Sequence, residues 1–124
     1  MYLESKEKFV GVKPRPLLPH QKHLLAAADL IRRHGLAKEI QLDERGSMCL
    51  HGAISIAIYG APYGPTCFGP CQASDAVRAQ VVKDGREDAA RGYHAADWNN
   101  APERTAQDVI DLLIRASFIR EISQ

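Results

Sequence analysis

Cys49 and His94 are the residues of this chain best suited to nucleophilic chemistry. Cys49 opens the segment Cys49-Leu50-His51-Gly52-Ala53, ahead of an apolar run. A thiol at a helix N-terminus feels the partial positive charge of unpaired N–H groups, which favours thiolate at neutral pH. His94 would serve as its base, with Asp97 or Asn99 orienting the imidazole in the order Cys–His–Asp/Asn. The competing reading is that cysteine packs as a small hydrophobe and is among the most buried residue types. Between Met48 and Leu50, Cys49 fits core packing better than catalysis.

A second set is Cys49, His51, Cys67 and Cys71, four side chains of the types that ligate zinc. Cys67 and Cys71 lie on a loop rich in glycine and proline, but their spacing is one residue longer than the usual C-x-x-C knuckle. Cys49 and His51 stand two apart, so on one helix they do not share a face. The pattern is also a near miss to zinc nucleoside deaminases, which carry a Glu two residues after the first ligand as proton shuttle. His51 stands two after Cys49, and Ala53 two after His51. Without that carboxylate the reaction lacks its acid and base.

The third candidate is Trp98-Asn99-Asn100-Ala101-Pro102-Glu103-Arg104-Thr105. As a folding module it needs Trp98 to anchor the segment, the asparagines to bond nearby backbone and Thr105 to cap the next helix. Asn99, Asn100 and Arg104 exceed what capping requires. With Trp98 they form a candidate binding set lining a cleft against the start of the Cys49 helix.

The elements that must position these residues are mostly helical. Leu24, Ala28 and Ile31 define a helix from His20 to His34, stopped by Gly35, with a Schellman contact between Ile31 and Leu36. A second, nearly all-apolar helix runs from Ser47 or Met48 to Tyr59, as expected of a buried central helix. A third starts near a Ser74 cap and carries Val77 and Val81 inward. The fourth follows Thr105, whose spacing to Asp108 is that of a capping box, and bears the stripe Val109, Leu112, Leu113, Ala116, Ile119. Alternation at 38–42 and a turn at 43–46 leave room for one short β-hairpin near 38–46. Residues 86–92 add a short polar helix. The fold class is therefore mainly α: four main helices in one domain, 20–124, behind an extended arm, 1–19, whose prolines favour polyproline II.

Bulk properties narrow the function classes. At 124 residues, 45% apolar and 25% charged, the chain suits one hydrophobic core. The opening residues lack the apolar core of a secretory signal, and no run of apolar residues is long enough to span a bilayer. Three cysteines in no scaffold pattern read as reduced thiols of a cytoplasmic protein. Net charge +1 argues against bulk nucleic-acid binding. Residues 1–38 hold eight Lys/Arg against three Asp/Glu, and 39–124 hold eight against twelve, so the two parts balance each other.

The motifs Arg32 to Gly35, Cys49 to Ala53, Trp98 to Asn100 and Arg104 to Thr105 are short but follow one another in order along the chain. In this they resemble a family of small actinobacterial and actinophage proteins with no assigned activity. The resemblance covers roughly residues 22–117. It departs at Asn100, where the family commonly carries Asp, and the loop with Cys67 and Cys71 is particular to this chain. It implies a well-specified fold and transfers no residue role. The expectation is an accessory or interaction protein without a cofactor. Its partner would be another protein, or a second copy joined as a homodimer through the N-terminal arm. A hydrolase or transferase using Cys49 and His94, and a zinc-stapled module, are the alternatives.

Overall fold

The computed structural model describes residues 16–38, 42–61, 72–84 and 95–121, with side chains from Trp98 onward in the last stretch. His94, Cys67, Cys71, the polar helix expected at 86–92 and most of the arm lie outside the described residues. Pro19 begins α1 (Pro19–His34). A missing N–H is harmless there, and the fixed φ of proline is already helical. Leu18, at φ −72° and ψ 157°, is the cap. Its N–H donates to Gln21 Oε1 at 2.8 Å, so a glutamine closes the turn that a leucine side chain cannot. Leu24, Ala27, Ala28 and Ile31 form the buried face of α1, which packs chiefly on α5 and α2.

Helix α2 (Leu50–Tyr59) buries Leu50, Gly52, Ala53, Ile54 and Ser55. Its small residues allow α1 to approach, and the Ser55 hydroxyl is satisfied by the Ala61 carbonyl. Gly60, left-handed at φ 76°, ends it. Helix α3 (Gln72–Lys83) turns Ala73, Ala76, Val77, Gln80 and Val81 inward, and α5 (Ala106–Ala116) buries Val109, Ile110, Leu112, Leu113 and Ala116. Between them lies a six-residue helix, α4 (Ala95–Asn100). The mainly α class and the four long helices follow the sequence-based expectation.

Residues 39–41, the middle of the hairpin expected near 38–46, lie outside the described residues; on either side of them Leu36 and Leu42 each make an isolated bridge to Met48. Three local expectations are corrected. The second helix starts at Leu50 rather than Ser47 or Met48, because Met48 is engaged in those bridges. Ser74 lies inside the first turn of α3 rather than at its cap. Gly35 donates to Ile31 O at 2.8 Å as a stop residue should. Its ψ of 168°, however, places it in an extended region open only to glycine rather than in a Schellman turn. That geometry aims the Gly35 carbonyl at the Met48 N–H, 3.1 Å away.

The ends of the domain are clasped. Buried Gln21 donates to the Ser117 carbonyl at 2.8 Å and accepts from Arg120 at 3.1 Å. Arg120 also donates to Pro16 O. His20 Nε2 stands 2.6 Å from the Ile119 carbonyl, which only accepts, so Nε2 carries the ring proton.

A Cβ on Gly35 would sit 2.9 Å from Ser47 Oγ, whereas one on Gly60 would meet nothing within 4 Å. Gly35→Ala should therefore destabilise by about 3 kcal/mol and Gly60→Ala by about 1 kcal/mol, measured by urea unfolding. Equal losses would contradict the assigned backbone geometry.

Candidate functional site

The Trp98–Thr105 segment has two sides, and the inner one is structural. Asn99 is fully buried. Its Oδ1 accepts from the Leu50 N–H at 3.0 Å, and its Nδ2 donates to the Ala37 carbonyl at 3.0 Å and to Asn100 Oδ1 at 3.2 Å. The first N–H of α2 has no partner within its own helix, so α4 supplies one. Two residues further on, the Gly52 N–H donates to Cys49 Sγ at 3.4 Å. Cys49 is thus the N-cap of α2, 8% exposed, with its sulfur directed at the helix backbone. Lys38 closes the same corner by donating to the carbonyls of Ala101 at 2.6 Å and Pro102 at 3.2 Å.

The outer side faces solvent. Trp98 is 6% exposed, and the Arg104 guanidinium lies over its ring, 3.8 Å from the centroid. Arg104 Nε also donates to the Trp98 carbonyl at 2.9 Å, which fixes the stack. Thr105 caps α5, and the reciprocal bonds with Asp108 (3.2 and 3.0 Å) complete the capping box expected from the sequence. Those bonds from Thr105, the backbone N–H foremost, hold the Asp108 carboxyl below the usual carboxylate range. Asp111 accepts from Gln107 at 2.8 Å, and Arg115 pairs with Asp84, at the end of α3, at 2.8 Å.

These groups enclose an open cleft of about 230 Å³ lined by Asp84, Trp98, Arg104, Asp108, Asp111 and Arg115. Trp98 and Arg104 of the predicted binding set line it. Asn99 is buried beneath, and half-buried Asn100 accepts from Asn99 without lining the cleft. Asp84, Asp111 and Arg115 escaped the sequence reading. For Asp111 and Arg115 the signal is their spacing with Asp108 along one face of α5, beside its apolar stripe; Asp84 has none. Cys49 is not part of the lining, and its proposed base His94 and the ligands Cys67 and Cys71 lie outside the described residues. His51 follows Leu50 on the half-buried side of α2. Among the described residues no group of three or more His, Cys, Asp or Glu converges as metal ligands.

Residues 15–118 match the family described as "Family of unknown function (DUF6197)", and the chain belongs to that family. No curated protein and no solved structure matches it. Among the described residues no helix is long and apolar enough to cross a membrane.

Replacing Asn99 with Ala strands a buried N–H and weakens the tie to a buried carbonyl, with an expected loss of about 3 kcal/mol in urea unfolding. Glu103→Ala, exposed in the same segment, should stay within about 0.5 kcal/mol. A small loss for Asn99→Ala would remove its structural role. Because the Asp108 carboxyl is depressed in the folded state, its stabilising effect is present above the ordinary carboxylate value, 3.8, and is lost as pH falls through its own lower value. Asp108→Asn should therefore flatten the pH dependence of stability in the acid range below about 4. An unchanged acid limb would refute the assignment.

Proposed function

We propose that this protein is an accessory protein that acts by binding another protein, and that the cleft between Trp98 and α5 is its docking site. The single observation carrying this reading is the make-up of the cleft: a rigid Arg104–Trp98 stack beside charged side chains on one helix face. Tryptophan and arginine are enriched at interface hot spots, where their large side chains fill desolvated pockets. At about 230 Å³, the cleft is smaller than the roughly 300–1,000 Å³ of pockets that enclose drug-sized ligands, and it suits side chains of a partner. A cysteine-dependent reaction is less well supported, since the Cys49 sulfur serves as a helix cap away from the cleft.

Cross-linking capture from extracts of the source cells checks it. The unaltered protein and Glu44→Lys, an exposed change in the turn before α2, should recover the same partner. Asp111→Arg, exposed and in the cleft, should recover at least tenfold less while melting at the same temperature. Equal recovery by Asp111→Arg, or no partner for any form, would overturn the reading.

A further inference from the structure

We infer that the cleft accepts a segment of a different protein that presents two basic side chains flanked by acidic ones. The inference rests on the binding role proposed above and specifies its partner. Arg104 just before the cap, then Asp108, Asp111 and Arg115 on α5, follow at spacings of four, three and four, and all line the cleft. Along this stripe the charges run plus, minus, minus, plus.

The order is the same read from either end. A second copy laid on the stripe, parallel or antiparallel about its centre, would set like charge over like in each case. Like-charge apposition at a desolvating interface is strongly unfavourable. Phosphate-rich ligands meet Asp84, Asp108 and Asp111 on the same wall and are disfavoured for the same reason. A complementary partner carries minus, plus, plus, minus.

The two ends and the middle of the stripe contribute unequally. Arg115 is already neutralised by Asp84, and Arg104 is spread over the Trp98 ring. The central carboxylates keep acceptor capacity: Asp108 takes the Thr105 N–H on Oδ2, and Asp111 takes Gln107 on Oδ1, while a carboxylate offers about four lone-pair sites. The basic pair of the partner is therefore the main determinant. An arginine is favoured over a lysine because its planar fork meets a carboxylate bidentately.

Two alanine-based helical peptides test this against the full-length, isotope-labelled chain by NMR titration. One carries Glu, Arg, Arg, Glu at spacings of four, three and four, and the other carries Arg, Glu, Glu, Arg at the same positions. The first should shift the backbone signals of 104–115 and the Trp98 indole N–H, bind at least tenfold more tightly than the second, and weaken as salt is raised. Asp111→Arg should abolish the preference. Equal binding of both peptides, no shift with either, or a preference that survives Asp111→Arg would overturn the inference. A captured partner that depends on the cleft but contacts it without basic residues would remove this charge assignment and leave the binding role standing.

Discussion

The buried carboxamide of Asn99 is the constraint on which the arrangement depends. One side chain supplies an acceptor to the first N–H of α2 and a donor to the carbonyl of Ala37, in the link that follows α1. Both backbone groups are removed from water, and each would carry a desolvation penalty if left unmet. The same link bears the Gly35 turn, whose carbonyl holds Met48 and so sets where α2 begins. Short α4 thereby acts as a key between the first two long helices, with Lys38 drawing in the carbonyls at its exit.

That division of labour explains why a polar segment is mounted so rigidly. With Asn99 locked inward, its neighbour Trp98 is pinned with one face available to Arg104. The capping box then starts α5 immediately afterwards, so the charged face of α5 is fixed relative to the stacked pair. Loops are otherwise poor places to build a precise surface. Here helix ends on both sides hold the segment. The Asp84–Arg115 pair is exposed and contributes little stability, but it closes one end of the cleft and removes a charge from it.

Periodicity was enough to read the long helices, since Leu24, Ala28 and Ile31, and Val109 through Ala116, repeat at helical spacing over several turns. The stop at Gly35 and the Thr105–Asp108 box were also legible, because each rests on local chemistry. Helix α4 is too short for a period to show. The roles within Trp98–Arg104 were not separable in sequence: Asn99 and Asn100 are identical in type, and only the tertiary position of Leu50 N–H decides which of them is buried. The far wall of the cleft was hidden for the same reason: the expectation set it at the start of the Cys49 helix, whereas Asp84 reaches α5 from a distant helix.

Amide hydrogen exchange at Leu50 tests the central claim most directly. An N–H at the first position of a helix ordinarily faces water and exchanges quickly, because no partner exists within the helix. If Asn99 holds it, the Leu50 amide exchanges only with global unfolding, at the rate of the core amides of α5. Exchange of Leu50 at the rate of an unprotected amide would contradict the account.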